Sequence, residues 1–80
     1  MTKAVVKYSV RLANHRTSVS LEPAFWQAIH DIAKQQHIPV RQLVEQIDHQ
    51  RLHQPTTNLS SALRVYVLLF YRDKLQQTGK

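Results

Sequence analysis

The chain has no cysteine, and its 80 residues include one glycine, Gly79. Without thiols, neither a disulfide framework nor a thiolate metal site can strengthen a small core. A domain of this length buries only about 60 % of the surface that its unfolded chain exposes. We therefore expect its stability to come from helix packing or from association with another chain.

Long apolar runs are missing as well. The longest apolar stretch, residues 65–71, is far shorter than the roughly 20 residues that a membrane-spanning helix needs. The N-terminus has no apolar segment of the kind that directs export. We therefore expect a single domain over residues 1–80 that has no membrane partner and works in the cytoplasm.

The scarcity of glycine and the lack of cysteine also limit the chemistry. No glycine-rich turn offers a phosphate cradle or an oxyanion hole, and no serine lies in a nucleophile elbow. Glu45, His49 and His53 have the helical spacing i, i+4 and i+8, but a solvated helix face explains them better than a metal site without a fourth ligand. We expect no catalytic residue, no bound metal and no cofactor.

Positive charge is what the chain has in excess. Eleven Lys and Arg against five Asp and Glu give a net charge of +6 and an isoelectric point near 10.2. The basic residues that precede the first acidic residue, Glu22, are Lys3, Lys7, Arg11 and Arg16. Small proteins are often basic for solubility alone, but this distribution favours a polyanionic partner that contacts the N-terminal quarter.

Two segments near the N-terminus alternate apolar and polar residues, which is the pattern of half-buried strands. The first, residues 5–12, is predicted either as an extended arm or as one strand of a hairpin that turns at Asn14. The second covers residues 16–21. Alternation predicts that its core-facing side chains are Thr17, Val19 and Leu21. Those facing outward are Arg16, Ser18 and Ser20.

Three helices are predicted after the strands. The first covers residues 22–36, and Glu22-Pro23 marks its start because proline fits the first turn of a helix. The second covers residues 39–51, where apolar residues recur at i, i+3, i+4 and i+7. The third covers residues 59–76 and is the most apolar, so we expect it to pack across a dimer rather than to form a ligand pocket.

Two details of the third helix depend on its surroundings. Asn58 or Ser60 can cap its N-terminus through a side-chain oxygen. Residues 65–71 are rich in β-formers, so a buried strand is the alternative there. The breaker-free run and the capping residues favour the helix.

A strand followed only by helices finds no later strand to pair with, and an unpaired strand edge is a template for another chain. A second copy of residues 16–21 is its natural partner, in an antiparallel ribbon that fits the major groove of B-DNA. The expected fold class is mostly α with a short N-terminal strand, an intermolecular two-stranded ribbon and an additional C-terminal helix. An internal hairpin is compatible with such a dimer.

Several segments together resemble a known family. They are Ser9-Val10, His15 to Trp26, Ile47-Asp48 and Asn58 to Val65. Over roughly residues 7–69 the chain is similar to the ribbon-helix-helix domain family of short bacterial proteins, whose superfamily includes the Arc and methionine repressors. The resemblance implies a homodimer that inserts its ribbon into the major groove of double-stranded DNA, with Arg16, Ser18 and Ser20 as base readers.

The resemblance also implies that the second helix offers its first backbone N–H groups to a DNA phosphate. Those positions are Pro39, Val40 and Arg41. The superfamily often has a small residue where His37 stands and a Ser or Thr where Pro39 stands, so the chain departs from the pattern at this point. Further phosphate contacts are expected from Lys7, Arg11 and His15. Asp48 and Arg64 match the family pattern and could pair between the second and third helices, but solvated surface positions are the commoner fate of such residues, so we do not count them as a site.

Two other functions fit the same residues. Some superfamily members are antitoxins whose C-terminal segment wraps a toxin, and the third helix is the segment that would meet such a protein partner. Wrapping tails are usually more polar than this helix. In the other alternative, the ribbon dimerises the chain without reading DNA, and Arg16 serves a protein or membrane partner.

Overall fold

The structure is a computed structural model that describes residues 4–52 and 58–78. Its elements in chain order are β1 (Val6–Arg11), β2 (Arg16–Leu21), α1 (Pro23–Gln35), α2 (Val40–Arg51) and α3 (Leu59–Thr78). The predicted class, mostly α with N-terminal strand structure and an additional C-terminal helix, is confirmed, while the intermolecular ribbon stays a prediction because the structure describes a single chain. Residues 65–71 are helical and not a strand. Within the described ranges, no helix combines the length and the hydropathy needed to cross a membrane.

The ribbon is an antiparallel hairpin of β1 and β2, in register from Val6 opposite Leu21 to Arg11 opposite Arg16. The N–H of Leu12 donates to the carbonyl of His15 at 2.8 Å and closes the turn. Of the two arrangements left open for residues 5–12, the structure has the hairpin. One edge of β2 therefore has its partner strand within the same chain, and a ribbon shared with a second copy would have to use the other edge.

The inner face of the hairpin packs on the helices as the alternation predicts. Val19 and Leu21 are fully buried, and Thr17 is half-buried. On β1, the ring of Tyr8 stacks on Trp26 with centroids 4.4 Å apart and planes within 10° of parallel. This stack fixes β1 against α1, so both strands of the hairpin are anchored to the core.

The turn from α1 to α2 has the backbone pattern of a Schellman motif. The N–H of Ile38 donates to the carbonyl of Ala33 at 3.0 Å, and the N–H of His37 donates to that of Lys34 at 3.1 Å. His37 has a φ of 61°, in the left-handed region where glycine is the usual residue. The family's preference for a small residue at this position thus has a backbone cause. Asn14, in contrast, forms its turn without a positive φ.

The core takes residues from every element. Its buried members are Val10, Leu12, Val19, Leu21, Ile29, Ile32, Ala33, Leu43, Val44, Ile47, Leu59, Leu63 and Val67. Asn58 caps α3, because its Oδ1 accepts the N–H of Ser61 at 2.8 Å. Full burial of a side chain such as Leu63 contributes about 1.5–3 kcal/mol. The third helix is therefore part of the fold that holds the ribbon in place.

Candidate nucleic-acid interface

The outward side of the hairpin is a continuous polar surface, which we call the ribbon face. Its members are Lys7, Ser9, Arg11, Arg16, Ser18 and Ser20, all exposed. The predicted outward facing of the three β2 residues is confirmed. The hairpin places Lys7 opposite Ser20 and Ser9 opposite Ser18, so the two strands share one surface of cations and hydroxyls. Ser9 was not predicted as a site residue. The apolar-polar alternation of β1, combined with a hairpin, would have placed it on the ribbon face.

Arg11 and Arg16 lie directly opposite each other at the turn end of the ribbon face. Side chains in such cross-strand pairs have Cβ atoms only about 4.5–5.5 Å apart, and like charges there destabilise the sheet. Neither arginine has an acidic partner within the described parts of the chain. Arginines that are cross-strand neighbours on an exposed face can donate charge-assisted hydrogen bonds to the same anion.

The edge of β2 that faces away from β1 is partly covered by α3. The N–H of Ser20 donates to the Oγ of Ser60 at 2.9 Å, and the Nη2 of Arg64 donates to the carbonyl of Ser20 at 3.3 Å. Backbone groups along a strand alternate between its two edges, so those of Arg16 and Ser18 point toward this same edge. The side chain of Ser20 remains exposed on the ribbon face.

Arg64 also ties α3 to the junction of β2 and α1. Its Nε donates to Oε1 of Glu22 at 3.0 Å, and its guanidinium lies 6.0 Å from the centre of the Phe25 ring. The hydrogen bond from the Arg64 side chain is the main reason that the pKa of Glu22 lies below its ordinary value of 4.5. The lowered pKa of Glu22 is therefore a consequence of the packing of α3 against the junction of β2 and α1.

Asp48 and Arg64, which the sequence left either paired or solvated, do not pair with each other. Asp48 Oδ1 accepts a hydrogen bond from Nε of Arg51 at 2.8 Å, one helical turn away on α2. Residues three apart share a helix face, which makes this local partner available to Asp48. Arg64 instead contacts the end of β2 and Glu22.

The start of α2 has free donors. Pro39 is its N-cap and provides no side-chain hydrogen bond, and the first helical acceptor, the Pro39 carbonyl, takes the N–H of Leu43 at 3.2 Å. The N–H groups of Val40, Arg41 and Gln42 therefore have no acceptor within the helix. Pro39 removes its own donor but leaves these three.

The predicted phosphate contacts lie on different elements. Lys7 and Arg11 are on the ribbon face, and His15 is exposed in the turn beside it. Val40 is half-buried and Arg41 is exposed, both at the start of α2. The hairpin thus gathers most of these positions beside the expected base readers.

For metal binding, His53 of the trio considered above lies outside the described residues. Glu45 is half-buried and His49 is exposed on α2. Among the residues that the structure describes, no group of three His, Cys, Asp or Glu side chains is close enough to hold a metal ion.

Comparisons with known proteins agree with the fold. Residues 5–71 match the family model described as the ribbon-helix-helix domain. An uncharacterized protein from Bordetella pertussis Tohama I has a similar solved structure, with a TM-score of 0.73 and 34% sequence identity. The similarity covers 98% of this chain and 62% of that one, so this chain spans less than two thirds of that protein's length. No curated protein sequence matches.

Proposed function

The chain belongs to the ribbon-helix-helix family, in general a family of dimeric DNA-binding regulators, and we propose that it is a sequence-specific DNA-binding protein that regulates transcription as a homodimer. The ribbon face carries this proposal. It presents three cations and three hydroxyls on a two-stranded antiparallel ribbon, which is a shape that the major groove of B-DNA admits. The site of action is the cytoplasm, where bacterial DNA lies.

The base readers are Arg16, Ser18 and Ser20. A guanidinium can donate two hydrogen bonds to O6 and N7 of guanine, and a serine hydroxyl can pair with several base edges. All three side chains are exposed, and Ser20 uses its backbone rather than its hydroxyl to bind α3. The hydroxyl is therefore free to face the groove.

The phosphate contacts are Lys7, Arg11 and His15 around the ribbon, and Val40 and Arg41 at the start of α2. The free N–H groups and the positive end of the helix dipole at Val40 and Arg41 favour a phosphate oxygen. Such contacts fix the position of a protein on the duplex without reading its sequence. Pro39 has no hydroxyl to offer a phosphate, and the positive charge of Arg41 compensates for this lack.

The homodimer is supported by an uncovered stripe on α3. Val65, Leu68 and Leu69 share one face of the helix and are 51, 55 and 53% exposed. Exposed apolar side chains grouped in this way mark a protein–protein contact. The opposite face of α3 carries Leu63 and Val67 into the core, so the helix is not free to wrap a toxin, and a second copy is the occupant that we propose.

The experiment that tests the function starts with selection of bound fragments from random DNA, followed by affinity measurements on the selected duplex and on a scrambled one. Arg16→Ala should lose about 1–3 kcal/mol on the selected duplex and much less on the scrambled one. Arg72→Ala, an exposed arginine of α3, is the control and should bind like the wild type. If no sequence is enriched and no salt-dependent binding is found, the proposal is wrong.

The phosphate and dimer assignments have their own measurements. Arg41→Ala should weaken binding to every duplex equally and lower the salt slope by about one unit. In sedimentation equilibrium, Leu68→Glu should shift the dimer toward monomer, while Gln46→Glu at an exposed site of α2 should not. An unchanged salt slope in Arg41→Ala would contradict the phosphate contact of Arg41. An unchanged dimer in Leu68→Glu would contradict the proposed dimer contact on α3.

A further inference from the structure

The segment of β1 has the same sequence pattern as β2, nine residues earlier in the chain. Residues 7–12 read KYSVRL and residues 16–21 read RTSVSL, so each begins with a basic residue, has Ser-Val in the middle and ends in leucine. Resting on the proposed function, we propose that β1 is an internal substitute for the β2 strand of a second copy, and that the shared ribbon forms when the second copy's β2 displaces β1. The hairpin is then the closed state of the chain, and the shared ribbon is its open state.

The hairpin register gives β1 the place that a second β2 would take. Ser9 lies opposite Ser18. Because the backbone groups of Ser20 point to α3, its pair with Lys7 is of the non-hydrogen-bonded kind, and so is Ser9–Ser18 by alternation. A second β2 that replaced β1 residue for residue would put its own Ser18 at the place of Ser9. The two Ser18 residues would then face each other, as a two-fold axis through the ribbon requires.

The inward side chains of the two strands also correspond. Val10 and Leu12 are 7 and 5% exposed, and at the equivalent positions of β2 Val19 and Leu21 are fully buried. Exchange therefore replaces valine with valine and leucine with leucine on the apolar side of the ribbon. It also replaces one antiparallel ladder with another of the same register. Backbone pairing by itself thus favours neither state.

Tyr8 is the position where the two strands differ most. Its ring stacks on Trp26 with centroids 4.4 Å apart, whereas the equivalent residue of β2 is Thr17, which has no ring. Departure of β1 breaks this stack, so only the closed state has it. Tyr8 therefore favours the hairpin over the shared ribbon, which makes β1 an autoinhibitory strand.

The other edge of β2 is the alternative place for a second copy, and α3 covers it. The N–H of Ser20 donates to the Oγ of Ser60 at 2.9 Å, and its carbonyl accepts from Arg64 at 3.3 Å. Pairing there would also keep both β1 strands. The resulting four-stranded sheet would be about 14 Å across, because neighbouring strands lie about 4.8 Å apart, whereas the major groove is about 12 Å wide. Exchange leaves the α3 contacts intact and gives the two strands that the groove admits.

Release of β1 links DNA binding to the amount of protein. Exchange needs two chains, so the closed hairpin dominates at low protein concentration and the shared ribbon at high concentration. The released segment becomes the extended arm that the sequence left as the alternative for residues 5–12. Its cations Lys7 and Arg11 then lie beside the shared ribbon, where phosphate contacts are expected of them.

A disulfide across the hairpin tests the exchange. The chain has no cysteine, and opposite Cα atoms in a non-hydrogen-bonded pair are about 4.5 Å apart, within the range for a disulfide. Lys7→Cys with Ser20→Cys is oxidised with diamide at low protein concentration or kept reduced, and sedimentation equilibrium measures the dimer dissociation constant of each form. Oxidation should weaken the dimer by about tenfold or more, because β1 can no longer leave. Lys7→Cys alone cannot form the lock and controls for the oxidant. Dimers of the locked and reduced forms that agree within about threefold would overturn the inference.

Tyr8 provides a test without cysteine. Tyr8→Ala removes a contact of the closed state, and two chains open for each dimer, so the dimer dissociation constant should fall by about fivefold or more. Tyr8→Phe keeps the ring and should dimerise like the wild type. Equal or weaker dimerisation of Tyr8→Ala would show that the stack does not hold the chain closed, and would contradict the inference.

The two dimer measurements need no DNA, which separates the inference from the proposed function. If both give the expected results but the wild type binds no selected duplex, the proposed function fails and the exchange stands. If the wild type binds the selected duplex and the oxidised double variant binds it as tightly as the reduced one, the exchange is wrong and the proposed function stands.

Discussion

The hydroxyl of Ser60 accepts a hydrogen bond from the backbone N–H of Ser20 at 2.9 Å, although 40 residues separate the two in sequence. Because Ser60 is in the first turn of α3, the helix begins where it can cover the edge of β2. Open strand edges promote pairing with other chains, and a covering helix is one way in which proteins prevent it. The contact therefore protects the ribbon as well as anchoring α3.

Removal of the Ser60 hydroxyl should weaken the contact between α3 and the edge of β2. Ser60→Ala returns the Ser20 N–H to water, so we expect the free energy of unfolding in urea to fall by about 0.5–1.5 kcal/mol. Ser61→Ala is the matched control, because Ser61 bonds Asn58 through its backbone, and its effect should stay within about 0.5 kcal/mol. Equal effects of the two variants would show that the hydroxyl of Ser60 is not what holds the edge.

The left-handed residue between α1 and α2 offers a route to higher stability. His37→Gly removes the steric cost of a side chain at a φ of 61°, so we expect the unfolding free energy to rise by about 1 kcal/mol. Gln36→Gly, at a right-handed φ of −90°, is the control and should not stabilise. Thermal or urea unfolding measures both, and a loss of stability in His37→Gly would mean that the imidazole makes a contact that outweighs the strain.

Glu22 makes stability depend on pH. Its pKa in the folded protein is below 4.5, chiefly through the hydrogen bond from Arg64, so the carboxylate stabilises the fold above its unfolded pKa. This contribution disappears as the pH falls through the lowered folded pKa. The difference in melting temperature between the wild type and Glu22→Gln should thus be present at neutral pH and vanish in acid.

The control for that comparison is an Arg64→Ala background. There Glu22 has lost its donor, so Glu22→Gln should have a smaller effect that varies little with pH. A wild-type difference that persists unchanged in acid, or that survives in the Arg64→Ala background, would assign the role of Glu22 to something other than its ion pair.

The Arg11–Arg16 pair on the ribbon face should lower the stability of the fold while strengthening DNA binding. Arg11→Gln relieves the repulsion with Arg16, so we expect a gain of about 0.2–1 kcal/mol in unfolding free energy at low ionic strength, together with weaker DNA binding. Added salt should shrink the gain. Lys7→Gln lies opposite an uncharged serine and should show no comparable gain. Loss of stability in Arg11→Gln would contradict the repulsion.

The sequence predicted the parts of the fold that depend on local pattern. Alternation placed Val19 inward and Ser18 outward, and helical spacing found α1, α2 and α3 to within a few residues. Alternation cannot tell which strand pairs with which, because a hairpin and a shared ribbon have the same side-chain facing. The hairpin was therefore one of two open alternatives.

Contacts between distant residues were beyond the reach of such patterns. The bonds of Ser20 to Ser60 and Arg64 depend on where α3 begins relative to β2, which no local period encodes. The family pattern left the partner of Asp48 open for a different reason, because a match to such a pattern does not specify geometry. Helical spacing alone points to Arg51, which is the partner found.

The most direct test of DNA recognition by the ribbon face is a titration of the ¹⁵N-labelled protein with the selected duplex, followed by amide chemical shifts. The largest changes should fall in β1, in β2 and at Val40 and Arg41, while the α3 residues Leu68 and Leu69 should change little. Changes concentrated on α3, with the amides of β1 and β2 unmoved at saturating DNA, would contradict the account.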